Sequence, residues 1–316
     1  MTTVTEAGQV ESLKVRSMIE ADLTGADRVM RTAFGTFLGM PDPMAFLGDG
    51  DYVRSRWAIA PQAALTAEID GRLVGSTFAT RWGSVGFFGP LTVDPPLWDR
   101  GVARRLMDNT MEIMDAWGLT HAGLFTFSHS PKHLGLYQRY GFRPRFLTVV
   151  LAAPAAPAAH RSGWSTFASD PDPSARLAEC ASLTDTIYPG LDVSREVVAC
   201  HALGLGDTVL LDDGSGFAIC HVGAGSEAGT GVCFLKFAAA RTGAPDSFAR
   251  LLDACEAFAT TRGARRVVAG VSTARRAAYR MLGERGYRAD LIGVAMHRPD
   301  EPGYHRPDAL VVDDWR

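Results

Sequence analysis

Apolar residues recur along the chain with two periods, and the places where the period changes divide it into alternating strands and helices. Leu13 to Met18 alternates as a short strand, and Asp22 stands where it can cap a helix running through Ala33. Leu65 to Ile69 and Leu73 to Thr80 read as strands around Asp70-Gly71, a dipeptide suited to a tight hairpin. Gly86 to Val93 is expected as another strand. Val102 to Trp117 carries Leu106, Ile113 and Trp117 among its apolar positions, a helical pattern, and Gly118 is placed to end it. Ala122 to Phe127 reads as a strand, Lys132 to Tyr140 as a short helix stopped by Gly141, and Phe146 to Leu151 as a further strand.

The second half repeats part of this order. Asp207 to Leu211 and Phe217 to Val222 flank Asp213-Gly214 as strands. They are followed by strand Val232 to Ala238, helix Ser247 to Arg262, strand Val267 to Val271, helix Arg275 to Glu284 and strand Leu291 to His297. The halves align without gaps over a long stretch. Arg105-Leu106-Met107-Asp108 lies over Arg250-Leu251-Leu252-Asp253, Gly118 over Gly263, and Gly141-Phe142-Arg143 over Gly286-Tyr287-Arg288. Shared order and matched residues point to an internal duplication. Between the halves, Leu151 to His160 reads LAAPAAPAAH, where two prolines among small residues suit a linker. The expected organisation is therefore a domain over 1–152, an Ala/Pro linker over 153–160 and a second domain over 161–316.

A chain of 316 residues suits two cores. Its 47% hydrophobic and 21% charged residues are the balance of an ordinary globular protein. A net charge of −3 excludes any general attraction to nucleic acid or an anionic membrane, so the cluster Arg100, Arg104 and Arg105 needs a local explanation. The five cysteines all lie in the second half, without a Cys-x-x-Cys pair. An odd count with that spacing argues against a disulfide framework or a metal site, and for reduced thiols packed as small apolar groups. Met1 to Glu11 is polar, without an apolar signal region, and no stretch approaches the roughly 18 apolar residues of a membrane span. A cytoplasmic protein is expected.

Candidate chemistry lies in Leu91 to Leu106, LTVDPPLWDRGVARRL, where a strand runs through a glycine-containing turn into a helix. The first N–H groups of that helix have no intrahelical partners, and the helix dipole favours an anion there. Gly101 leaves room for close approach, and Arg100 and Arg104 add positive charge.

The turn Trp98-Asp99-Arg100-Gly101-Val102-Ala103 resembles the acyl-CoA motif of the GNAT N-acetyltransferase superfamily, Gln/Arg-x-x-Gly-x-Gly/Ala after a strand. Gly101 and Ala103 match; Trp98 departs from Gln or Arg, and Asp99 adds a negative charge. A second match follows at the family's spacing. Ser128 to Phe142 ends in Leu136-Tyr137-Gln138-Arg139-Tyr140-Gly141-Phe142, similar to the family's Leu-Tyr-x-x-x-Gly-Phe pattern. The resemblance implies α/β architecture: two GNAT-like domains, each a mixed, mostly antiparallel sheet flanked by helices. It implies that Trp98, Asp99, Arg100, Gly101, Val102, Ala103 and Arg104 wrap the CoA pyrophosphate. Leu91, Thr92 and Val93 would then pair with the pantetheine arm, one of their N–H groups stabilising an oxyanion.

Direct acyl transfer also needs a proton for the leaving thiolate, and Tyr137 matches the tyrosine that family members place near the CoA sulfur. Glu68, Asp51, Asp94 and His129 are candidates for the base, none of them assigned. Over Trp98 to Ala103 the second half has Gly243-Ala244-Pro245-Asp246-Ser247-Phe248. Pro245 removes an N–H donor, Asp246 places a carboxylate at the glycine position, and Leu282 replaces Tyr137. The second half therefore reads as a degenerate copy. The expected activity is transfer of an acetyl or other short acyl group from acyl-CoA to an amine, without a metal. A non-catalytic acyl-CoA sensor and another acyl-CoA enzyme on the same fold are the alternatives. Monomer and homodimer are both compatible with the sequence.

Overall fold

The structure, a computed structural model, describes residues 12–156 and 162–316. The stretch Met1 to Glu11 and linker residues 157–160 lie outside the described residues. In chain order the elements begin with β1 (Lys14–Ser17), α1 (Leu23–Phe37), α2 (Val53–Ile59), β2 (Ala64–Ile69), β3 (Arg72–Trp82), β4 (Val85–Phe88) and β5 (Thr92–Val93). Next come α3 (Val102–Ala116), β6 (His121–Phe127), α4 (Pro131–Gln138), β7 (Arg143–Pro154), β8 (Trp164–Thr166), α5 (Pro173–Ile187) and α6 (Ser194–Ala202). The series closes with β9 (Gly206–Leu211), β10 (Gly216–Gly223), β11 (Gly229–Ala240), α7 (Pro245–Thr261), β12 (Arg266–Ser272), α8 (Arg276–Glu284), β13 (Arg288–Arg298) and β14 (Val311–Val312). They fall into two compact units. One takes residues up to Gly48, Tyr52–Thr80 and Phe88–Gly118; the other takes Asp49–Asp51, Arg81–Phe87 and Leu119–Arg316.

In the first unit β1, β2, β3 and β5 pair antiparallel in that order. Gly75 is needed on β3 because a Cβ there would stand 2.9 Å from the Thr92 carbonyl oxygen and 3.1 Å from Leu106. That closeness lets α3 lie on the sheet, burying Val102 and Leu106 against Leu65, Val74 and Val93. On α1, Leu23, Ala26 and Met30 bury with Ala64, Phe78 and Val53. Asp22 does not cap α1 through its side chain. Its carboxylate takes two hydrogen bonds from Arg16, at 2.6 and 2.9 Å, and one from the Ile19 N–H at 2.8 Å. The helix also runs four residues beyond Ala33, where Phe34 stacks on Phe46. The strand expected over Gly86 to Val93 is two strands, β4 and β5, with Gly89, Pro90 and Leu91 between them. Pro90 has no N–H to offer a ladder at that point.

In the second unit the strand order is β4-β6-β13-β7-β12-β11-β10-β9-β8, with β14 beside β11. Only β4/β6 and β11/β12 run parallel among the described pairs. The repeated order of elements is visible in the spacing. His121 and Arg266 open β6 and β12, Pro131 opens α4 and Arg276 opens α8, and Arg143 and Arg288 open β7 and β13, each pair 145 residues apart. The two last strands are exchanged. β13 of the second half lies between β6 and β7, and β7 of the first half lies between β13 and β12. β7 continues to Pro154, which pairs with Arg266, so Ala152 to Pro154 extend the strand into the Ala/Pro stretch. A proline is tolerated there because it ends the strand.

Residues after β13 cover part of this sheet. Trp315 lies on Gly123 of β6, where a Cβ would stand 2.0 Å from the indole, and Asp314 lies on Gly270 of β12, where a Cβ would stand 1.9 Å from the carboxylate. Gly123→Ala should therefore lower stability by about 1–3 kcal/mol, the usual cost of overpacking. Thermal melting checks this, and an unchanged midpoint would mean the indole moves aside freely.

Beneath the same cover His121, His297 and His305 are buried. The Nε2 of His121 lies 2.9 Å from Nδ1 of His297, and the rings of His297 and His305 are 4.6 Å apart. Burial, then Arg145, pushes His121 down to about 4. Burial, then His121 and Arg145, pushes His297 to about 3. Burial, then Arg275, holds His305 well below the usual histidine range. Tyr304 and Asp313 face the same cluster. These rings bind protons more tightly unfolded than folded. Their contribution is complete above an unfolded histidine's value of about 6.5 and is lost as pH falls toward the folded values. The melting midpoint should decline from about pH 6.5 downward, before ordinary carboxylates titrate near 4. A flat profile across that interval would refute the account.

Candidate functional site

β5 is held on β3 by Gly75 opposite Val93 and Ser76 opposite Thr92, whose buried hydroxyls meet at 3.1 Å. The chain then turns through Pro95–Leu97, fixed by the Leu97 N–H on the Asp94 carbonyl at 2.8 Å. The indole N–H of Trp98 donates back to the Val93 carbonyl at 2.8 Å. The tryptophan that departs from the motif thus ties the turn to the strand end. Asp99 has φ 65° and Gly101 φ 83°, both left-handed. An aspartate adopts that region at modest cost, and glycine at none. Gly101 is the residue before α3, it has no side chain with which to cap the helix, and a Cβ built on it would meet nothing within 4 Å. The first N–H groups of α3 have no intrahelical partners and lie at the positive end of a helix dipole. Arg100, Arg104 and Arg105 are exposed around that helix start. An anion with several oxygens, such as a pyrophosphate, fits it in charge and in donors.

Leu91, Thr92, Val93 and Trp98 to Arg104 thus form one continuous strand-turn-helix within the first unit. Tyr137 belongs to the second, and its role is argued from its own surroundings. Pro131 starts α4, and Ser130 caps it by accepting from the His133 N–H at 3.4 Å. Tyr137 is buried on that helix, and the Phe142 N–H donates to its carbonyl at 3.3 Å. Burial raises the phenol well above its ordinary value, so at neutral pH it carries its proton and is a donor. His133 is pushed down by burial, then by Lys132 and His129.

Of the carboxylates considered as bases, Glu68 is paired with Arg16, and Asp94 is buried and paired with Arg72. His129 is exposed, its ring 5.7 Å from that of Phe127. A residue that sequence reasoning missed is Arg56 of α2. It is buried, donates to the Gly89 carbonyl at the break between β4 and β5, and lies 4.8 Å over the Tyr52 ring. One of two arginines in a seven-residue helix, it offers no pattern by which to foresee that.

The counterpart in the second half is built differently. α7 begins at Pro245, with Asp246 in its first turn, and Ser247 and Phe248 are buried. Leu282 is fully buried in a core with Leu251, Phe258 and Tyr287. Among the described residues no group of three or more His, Cys, Asp or Glu could hold a metal, and the five cysteines are unbridged and buried. No described helix is long and apolar enough to cross a membrane.

Residues 36–142 match the family model of the acetyltransferase (GNAT) family. No curated protein matches the chain. Among solved structures the chain is similar to a Pyrococcus horikoshii protein assigned as an acetyltransferase, at 15% identity and TM-score 0.71, covering 100% of this chain and 99% of that one. It is also similar to a GCN5-related N-acetyltransferase from Sphaerobacter thermophilus, at 17% identity and TM-score 0.60, covering 93% and 97%. A third, a GCN5-related N-acetyltransferase from Kribbella flavida, has 15% identity and TM-score 0.51, covering 91% and 71%. At these identities the likeness is one of fold, and it extends across both halves.

Proposed function

We infer, from a chain whose residues 36–142 match the acetyltransferase (GNAT) family model, an N-acyltransferase that moves an acetyl or other short acyl group from acyl-CoA directly to an amine. The observation that carries this is the start of α3 at Gly101, a glycine in the left-handed region whose Cβ position is open, at the place the family motif gives to the pyrophosphate. Trp98 to Arg104 hold that group. Leu91, Thr92 and Val93 line the pantetheine arm, with one lone pair of the Val93 carbonyl already taken by Trp98. CoA supplies the activated acyl group. The Tyr137 hydroxyl, which carries its proton at neutral pH, donates to the departing sulfur.

The first half is the catalytic domain of the proposal, and the second, with Pro245 and Asp246 at the equivalent turn, is a non-binding copy. Five buried, unbridged thiols suit a cytoplasmic setting. Incubation with acetyl-CoA and a panel of amines, followed by mass spectrometry of the products, tests the reading. Acylated amine supports it. Free CoA without acylated amine would favour another acyl-CoA enzyme, and binding without turnover would favour a sensor. Calorimetry should give one acyl-CoA per chain; two equivalent sites would end the idea of a degenerate copy.

A further inference from the structure

β11 and β12 run side by side only from Val232 opposite Arg266 to Leu235 opposite Ala269. Beyond that point β12 continues to Ser272 against β7, and β11 continues to Ala240. β14 takes the edge that β11 leaves open. Ala238 pairs with Val312 and Ala239 with Val311, antiparallel, and the Ala240 N–H donates to the Leu310 carbonyl at 3.0 Å. Ala238 is the counterpart of Val93 by two criteria. The two lie 145 residues apart, like the elements that follow them. Each also pairs with the fifth residue from the glycine-turn aspartate of its hairpin, Val93 with Gly75 and Ala238 with Ala218.

We propose that Ala309–Trp315 is a strand ligand carried by the chain itself, seated on the edge of the second half that corresponds to the acyl-arm edge of the first. The comparison rests on the acyl-CoA reading above; the seat itself does not. Its features are those of a peptide site rather than a pantetheine site. Strand addition supplies backbone hydrogen bonds, and side-chain seats supply selectivity. The fully buried guanidinium of Arg275 donates to the carbonyls of Val311 and Asp313, each at 3.3 Å, and to the Asp313 carboxylate at 3.1 Å. The Tyr304 hydroxyl donates to the other Asp313 oxygen at 3.0 Å, and Trp315 donates to Tyr304 at 2.8 Å. Gly270 and Gly123 are the bare spots on which Asp314 and Trp315 rest. The seat thus takes an extended apolar pair followed by Asp–Asp–Trp, and it keeps the second half filled without a nucleotide.

The test places a short protease site after Asp308, an exposed position, in the full chain, and cuts it in the folded state. The fragment from Ala309 onward should co-elute with the body in gel filtration. It should exchange with a fluorescent synthetic peptide of residues 309–316, saturating at one per chain. An Asp313→Asn peptide should compete at least roughly tenfold less well, because it strands a buried guanidinium. A scrambled peptide should not compete. Loss of the fragment with an unchanged melting midpoint, or equal competition by the scrambled peptide, would overturn the proposal. In the uncut chain, Gly270→Ala should speed amide exchange of Leu310 to Asp313 while α3 stays protected; unchanged protection would also overturn it. Acyl-CoA titration of the uncut chain runs alongside. Its failure would count against the acyltransferase reading, while the peptide results decide the seat.

Discussion

Tyr137→Phe should lower turnover by about 10²- to 10⁴-fold, the typical loss when one positioned proton donor is removed. Acyl-CoA affinity should stay near that of the unaltered chain. The difference follows from when the hydroxyl acts: charge builds on the sulfur only as the thioester bond breaks, so the interaction is stronger in the transition state than in the bound substrate. The ring remains, and with it the apolar contacts of a buried side chain on α4, so the melting midpoint should hold. The measurement is single-turnover acyl transfer beside equilibrium binding. Full activity where chemistry limits the rate would return Tyr137 to a packing role and leave water to protonate the thiolate.

Gly101→Asp should cut acyl-CoA affinity by two orders of magnitude or more, on the order of 3 kcal/mol, by setting a carboxylate beside the pyrophosphate at the start of α3. Gly101 has φ 83°, where a side chain brings strain of its own. Gly101→Asn is therefore the control: asparagine tolerates that region and adds bulk without charge. The aspartate variant should bind much more weakly than the asparagine variant, and added salt should narrow the gap. Asp246→Gly in the second half should leave affinity unchanged. Equal small effects of Gly101→Asp and Asp246→Gly would move the phosphate site elsewhere.

Local chemistry made much of this readable in the sequence. Asp70-Gly71 turns β2 into β3, the apolar spacing of α3 and the position of Gly118 mark that helix, and the 145-residue offset appears in the sequence before it appears in the sheet. The strand-to-helix turn at Gly101 was legible because its glycine and its setting are adjacent in sequence. What escaped depends on distant partners or on weak periodicity. The break between β4 and β5 had a cue in Gly89-Pro90, but the flanking run of apolar residues reads as one strand. α2 is short, and α5 and α6 carry little amphipathic pattern. Arg275 and Asp313 share no local pattern in the sequence; only the fold brings them to 3.1 Å in the interior. Trp98 read as a flaw in the motif until its indole was seen to close the turn onto Val93.

The exchanged strands have a consequence for the order of synthesis. β6 and β7 leave the ribosome early, yet the strand that belongs between them, β13, is made only after almost the whole second half. A nascent chain that has just completed β7 must keep two strand edges unpaired until residue 298 emerges. Unpaired edges of that kind recruit other chains. Pairings between such distant segments also form slowly, because a long loop must close before they are rewarded. Folding during translation therefore cannot proceed half by half in this unit, and a messenger truncated near the Ala/Pro stretch would release a sheet with a missing centre.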